Sequence, residues 1–228
     1  MIKLLQIFLI KSRMFLGRLK VLLRLNKDVW DYLENGIGII HVGANEGQEA
    51  AFYAAKNMHV LWIEALPEAY IKLSDNITKY NNQKAINALI HEKSGLAVDF
   101  MCDGVMSSIY EYSDYAQLWG MSNERKKITL ITKTLDEIMV NEAANLYDTL
   151  VLDVQGAELA VLKGACNTLK KINRVIAEAR TFSFYEDECK LRDIDKYLKE
   201  RGFRIKYKKA IRWIPGVGTE YNCIWIRV

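Results

Sequence analysis

Proline is nearly absent from this 228-residue chain: only Pro67 and Pro215 occur, and no Ser/Gly-rich or acidic run interrupts it. Flexible linkers and low-complexity tracts are therefore not expected, and one domain with modest additions is the simplest organisation. Cysteine is sparse and scattered. Cys102, Cys166, Cys189 and Cys223 form no Cys-x-x-Cys pair, and no histidine stands at metal-ligand spacing from them. This argues against a zinc module or a disulfide framework and for a reduced cytoplasmic protein, with Cys166 and Cys223 acting as small apolar side chains. Charge of one sign does not dominate either; a formal net charge of +4 gives no ground for a nucleic-acid partner. No apolar run approaches the roughly 20 residues of a membrane span.

The charge that is present is unevenly placed. Lys3, Lys11, Arg13, Arg18, Lys20, Arg24 and Lys27 all precede the first acid, Asp28. Between them Leu4, Leu5, Phe8, Leu9, Phe15, Leu16, Leu19, Leu22 and Leu23 recur at spacings that share one side of a helix. Residues 1–28 therefore read as a basic amphipathic helix ahead of a single larger domain over 29–228. The apolar run from Leu4 to Ile10 ends in Lys11-Ser12-Arg13 without a small-residue cleavage site, unlike a secretory signal. Two partners suit such a helix, the anionic inner face of a membrane, met peripherally, or a protein surface, either its own domain or a second copy in a homodimer; the alternative is a loosely ordered arm.

Further along, Gly36-Ile37-Gly38 introduces an apolar run over 39–42, the pattern of a parallel strand buried on both faces. A glycine-bearing turn follows at once, then a helical pattern over 48–56. Residues 59–63 restore a strand that ends in Glu64, and Pro67 opens a helix towards Tyr80. A third strand is expected over 85–90. The second half brings a strand at 149–153, a helix at 157–171, a strand at 174–177 ending in Glu178, and a charged helix at 188–201 closed by Gly202. Alternation of strand and helix at roughly 25-residue spacing marks a doubly wound, Rossmann-like α/β sheet. Strands at 203–207 and 221–228 follow one another with no crossover helix and should pair antiparallel. The stretch 92–146 exceeds what one crossover needs, so extra strands near 96–100 and 127–132 and a substrate lid are expected there.

Gly43-Ala44-Asn45-Glu46-Gly47 lies between a buried strand and a helix, where backbone amides can approach a ligand and glycines leave room for it. Its G-x-x-x-G spacing differs from the G-x-G-x-x-G of dinucleotide enzymes. Glu64 ends the next strand, 21 residues after Gly43, where a carboxylate accepts hydrogen bonds from a ribose diol. Loop and carboxylate together indicate an adenosine-type cofactor rather than an isolated phosphate.

Three segments make the chain resemble the FkbM-type methyltransferases from residue 39 to residue 228. They are Ile40-His41-Val42-Gly43-Ala44-Asn45-Glu46-Gly47, Trp62-Ile63-Glu64-Ala65-Leu66-Pro67 and, most specific, Leu152-Asp153-Val154-Gln155-Gly156-Ala157-Glu158-Leu159-Ala160-Val161-Leu162-Lys163-Gly164-Ala165. The resemblance implies the class I methyltransferase fold, a mostly parallel seven-stranded sheet with an antiparallel C-terminal hairpin. It also implies S-adenosylmethionine as donor and a sugar or polyketide hydroxyl as acceptor, hence O-methylation in the biosynthesis of a surface polysaccharide or its precursor. Carried over by position, Gly43, Ala44, Asn45 and Gly47 surround the methionine part of the donor and Glu64 binds its ribose. Asn87 and Ala88 neighbour the adenine, and Asp153 faces the transferable methyl group. Many members have aspartate where His41 stands; a histidine can still hydrogen-bond the loop.

Methyl transfer is an in-line displacement at a sulfonium, so holding an acceptor oxygen collinear with the leaving sulfur is most of the work. An alcohol is a poor nucleophile, and a base that takes its proton as the bond forms assists. Asp153 and Glu178 both end parallel strands at the ligand crevice. Either one is the base while the other positions the acceptor, or both hold a Mg²⁺ that lowers the acceptor's pKa. Metal-free base catalysis is preferred, because only two convergent acids are visible. His91, after the third strand, is an alternative base. Gln48, Glu49 and Tyr53 fall in the first turns of the helix after the loop, where Glu49 faces either donor or acceptor. Glu158 and Lys163 suit the dipole of their helix and read as structural. Aromatics and hydroxyls over 107–119 suit a glycan acceptor, or else pack the lid on the sheet. Other small-molecule, nitrogen or phosphoryl acceptors, or a non-catalytic interaction domain, are the alternatives; intact Gly43, Gly47, Glu64 and Asp153 favour an enzyme.

Overall fold

In the computed structural model, which describes residues 36–228, the first strand, β1 (Gly38–Val42), is buried at every position. The amphipathic helix expected over 1–28 lies outside the described residues. β1 pairs in parallel with β2 (His59–Glu64) on one side and β7 (Thr149–Leu152) on the other. β3 (Gln83–Asn87) extends the sheet beyond β2, and β8 (Arg174–Arg180) extends it beyond β7, both in parallel. β9 (Phe203–Ile214) and β10 (Gly218–Arg227) form the antiparallel hairpin, with β10 against β8, so the order is β3-β2-β1-β7-β8-β10-β9. The seven-stranded, mostly parallel sheet expected from the sequence is therefore the one observed.

Burial on both faces explains the apolar runs. One face packs Ile40, Leu61 and Leu150 against Leu135 and Ile138 of α4 (Leu135–Met139), Val161 of α5 (Glu158–Lys163) and Ile194 of α6 (Leu191–Lys199). The other packs Ile39, Trp62 and Ile176 against Tyr53 of α1 (Ala50–Ala55) and Leu73 of α2 (Pro67–Ile77). Each fully buried side chain of this kind contributes roughly 1.5–3 kcal/mol.

Several boundaries differ from the sequence pattern. The helix expected over 157–171 stops at Lys163 and resumes only as a 3₁₀ turn over Thr168–Lys170. The cause is Gly164, where a Cβ would stand 2.2 Å from the His91 backbone oxygen. The chain leaving β4 (Leu89–Ile90) crosses there, and only glycine admits it. The hairpin strands are longer than expected, which leaves a three-residue turn over 215–217. Cys223 is buried as expected, but Cys166 is exposed, since α5 has already ended before it.

The stretch 92–146 holds β5 (Ala97–Cys102) and β6 (Lys126–Lys133), which with β4 (Leu89–Ile90) form a three-stranded sheet in the order β4-β6-β5. Its middle, around α3 (Asp114–Leu118), is capped by Ser113 and packs on a separate aromatic cluster of Tyr112, Phe182, Phe184 and Tyr185. Among the described residues no helix is long and apolar enough to cross a membrane.

Candidate active site

A cavity of about 470 Å³ opens at the carboxyl ends of β1, β2, β7 and β8, within the size range of small-ligand sites. Glu64, Asp153 and Glu178 line it from the sheet, and Val105, Ser107 and Ile109 from the segment above.

The glycine loop forms its floor. Gly43 N and Ala44 N donate to Ile63 O at 2.9 and 3.2 Å, tying the loop to β2. Gly43 has a φ of +82°, and a Cβ there would stand 2.0 Å from Asp153 O, so a side chain would separate the loop from β7. Glu64 completes the grip: its Oε2 accepts from Asn45 N at 2.8 Å and its Oε1 from Leu66 N at 2.7 Å. Burial raises the Glu64 pKa, and these backbone bonds from Leu66 and Asn45 oppose the rise. Each carboxylate oxygen accepts one protein bond and retains a lone pair, the arrangement a ribose diol requires.

His41 is buried in β1, stacked on Trp62 at 5.0 Å and within 3.4 Å of the Tyr53 hydroxyl through Nδ1. Burial lowers its pKa to about 4, so the imidazole is neutral and supplies no charge. Glu49, at the head of α1, lines the cavity, and its buried Oε2 meets no hydrogen-bond donor. Burial, with the Asp153 charge adding to it, raises the Glu49 pKa to about 7.

Asp153 follows β7, its amide continuing the ladder to Val42 O at 3.0 Å. The next residues turn sharply, with Gln155 at a φ of 54°, and this brings the Gln155 amide nitrogen onto Asp153 Oδ1. Behind it stands a buried frame. Arg180 donates to Glu220 Oε1 at 2.6 Å and to Glu188 Oε1 at 2.7 Å, while Glu188 Oε2 accepts from Phe184 N and Tyr185 N at 2.7 and 3.1 Å. Although burial opposes it, pairing with Glu220 and Glu188 keeps Arg180 firmly charged. Glu178, on β8, lies 3.9 Å from the same guanidinium and lines the cavity beside Asp153.

The structure thus gathers His41, Gly43, Ala44, Asn45, Glu64, Ala88, Asp153 and Glu178 around one cavity. Gly47, Asn87 and His91 fall outside its lining. Gly47 packs against Leu73 of α2. Asn87 turns its amide to Glu64 O and Ala65 O, bracing the end of β2. His91 lies where Glu92 and Lys163 pair at 3.2 Å, away from the cavity. Of the segment 107–119, Tyr112 is wholly buried, stacks on Tyr185 at 5.4 Å and lies under Arg125 at 4.0 Å, which is a packing role; Ser107 and Ile109 face the cavity. Gln155 and Tyr185 had no sequence signal as partners of Asp153, since their meeting depends on a left-handed residue and a contact 30 positions apart. Among the described residues, no group of three or more His, Cys, Asp or Glu could hold a common metal ion.

Comparison with known families matches residues 41–205 to the family described as Methyltransferase FkbM domain. Among solved structures the chain is similar to the magnesium protoporphyrin IX methyltransferase of Synechocystis PCC 6803. In its form with bound SAM the TM-score is 0.54 at 14% identity, over 95% of this chain and 83% of that one. In its form with bound SAH the TM-score is 0.56 at 13% identity, over 96% of this chain and 87% of that one. These likenesses establish the fold. No curated protein matches the sequence.

Proposed function

From the membership of this chain in the FkbM methyltransferase family, we propose that it transfers the methyl group of S-adenosylmethionine to a hydroxyl oxygen of a sugar in a surface glycan or its precursor. The observation that carries the donor half is the junction of Glu64 with the glycine loop: a carboxylate aimed into the cavity, held there by the amides of Asn45 and Leu66. When bound, the donor supplies an electrophilic methyl group on sulfur. Glu64 would hold its ribose, and the backbone of 43–45 would follow its methionine part.

The protein's own share of the chemistry falls to two acids. Asp153 stands against the loop and takes the acceptor's proton as the new bond forms. Glu178, beside it on the next strand, accepts a hydrogen bond from a neighbouring hydroxyl and fixes the acceptor's line of approach. His91, outside the cavity lining, receives no step. The Gln155 amide, which occupies Asp153 Oδ1, favours base catalysis over a Mg²⁺-held acceptor.

The acceptor reading is supported by the mixed rim of Ser107, Ile109 and Glu178, which offers apolar surface and hydrogen-bonding groups to a sugar. Incubation with donor labelled in its methyl group, against a panel of sugar nucleotides, glycan fragments and simple phenols, tests it. Label in the sugars supports the reading, and label only in non-sugar acceptors removes it. The basic amphipathic segment 1–28 suits docking on an anionic membrane or a second copy. Flotation with anionic vesicles, with and without that segment, separates the two.

A further inference from the structure

Two acids stand at the two ends of the glycine loop. Glu64 anchors Asn45 from β2, and Glu49 follows Gly47 at the head of α1. They differ in one respect. Both Glu64 oxygens accept backbone bonds, whereas Glu49 Oε2 is buried and meets no donor in the protein. A buried carboxylate oxygen without a partner is costly, and its position on a cavity wall suggests that the missing donor belongs to the ligand.

The sign of the surroundings narrows what that donor is. Tyr53 from α1 and Asp153 beyond β7 interact electrostatically with Glu49, and His41 from β1 and Glu178 from β8 line the same cavity. Burial keeps His41 neutral, and burial followed by the Glu49 charge keeps Tyr53 protonated. Among the described residues lining the cavity there is no lysine or arginine. Arg180, at 3.9 Å, offsets Glu178 from behind the cavity wall, so the negative charge at the Glu49 end suits an ammonium group and disfavours a carboxylate or phosphate.

We propose that Glu49 is the counter-ion of the donor's α-ammonium group, supplying from α1 the charge that His41 cannot supply from β1. This rests on the reading of the site as one for S-adenosylmethionine. With the ribose held at Glu64, the methionine part runs along the loop towards α1, and its ammonium donates to Glu49 Oε2. The pH dependence has a defined sign. Glu49 alone titrates at about 7, so half of the molecules must lose a proton there before an ammonium binds well. Affinity rises from acid pH through neutrality, then falls at higher pH as the ligand's own α-ammonium loses its proton.

The test is calorimetry on the wild type and on Glu49→Gln, using S-adenosylhomocysteine and its analogue lacking the α-amino group. Wild type should bind S-adenosylhomocysteine about eight-fold more tightly at pH about 7.5 than at pH about 6. Glu49→Gln should bind it about ten-fold or more weakly at the higher pH and lose the acid limb. The deaminated analogue should bind both proteins alike, which also shows that the variant's site is intact. Equal binding of S-adenosylhomocysteine by both proteins, with the same pH profile, overturns the assignment of Glu49 and leaves the donor reading standing. Absence of binding by the wild type overturns the donor reading itself.

Discussion

The Tyr185 hydroxyl stands 3.0 Å from Gln155 Oε1 and 3.2 Å from the Met106 carbonyl, and it helps hold the Gln155 amide in place. With its oxygen beside that hydroxyl, the amide turns its nitrogen to Asp153. The orientation of the acid at the end of β7 is thus set from the segment after β8, through a residue held in a left-handed conformation. Arg180 and Glu188 hold that segment in turn, since Glu188 binds the amides of Phe184 and Tyr185.

Loss of the tyrosine hydroxyl should therefore act on turnover more than on donor affinity. For Tyr185→Phe we expect kcat to fall about ten-fold while the Kd for donor changes by less than about two-fold. Parallel measurement of both constants checks this. An equal loss in each would mean that the hydroxyl only supports the fold.

Asp153→Asn should retain donor binding and lose about a hundred-fold or more in turnover, the scale of a general base. Unchanged turnover would remove Asp153 from that role. Dialysis against EDTA separates the metal alternative: the account expects full activity afterwards, and loss restored by Mg²⁺ would replace it.

Arg180 is buried between two buried carboxylates. Removing it takes the shared guanidinium from both acids, leaving Glu188 only the amides of Phe184 and Tyr185 and Glu220 the more distant Arg212 at 3.8 Å, so Arg180→Met should cost about 3–5 kcal/mol in denaturant unfolding. A change below about 1 kcal/mol would show that water compensates the acids.

Glu158 is buried, and burial with the nearby Glu188 charge raises its pKa from 4.5 to about 7. A carboxyl whose pKa is raised on folding stabilises fully below its unfolded pKa, and that contribution is lost as pH rises through the folded value. Glu158→Gln should match the wild type near pH 4.5 and exceed it progressively up to pH 7, by about 3 kcal/mol at most. Melting temperatures across that window check it, and a difference independent of pH would contradict it.

Much of the fold was legible because buried parallel strands have no solvent face to encode. The run over β1 and the repeat of strand and helix could hardly be anything else. Glu64 was legible for a related reason, since a charged residue that ends such a strand must sit at its carboxyl edge. Helix length was less so: α5 looks continuous past Lys163 until the crossing of β4 over Gly164 is known. The contacts around the cavity that the sequence does not show act across long separations. Gln155 and Tyr185 meet only in the folded chain, and the unpartnered oxygen of Glu49 is a statement about space that no residue pattern contains. Asn87 and His91 had the right place in the order of elements but turn to bracing contacts or away from the cavity.

The central claim is that the loop at Gly43 and the carboxylate of Glu64 hold S-adenosylmethionine. Titration calorimetry of the purified protein with that donor, repeated on Glu64→Ala with folding verified by circular dichroism, tests it most directly. The account predicts saturable one-to-one binding by the wild type and an affinity lower by about ten-fold or more in the variant. No heat of binding with the wild type, or equal affinity in the two proteins, would contradict it.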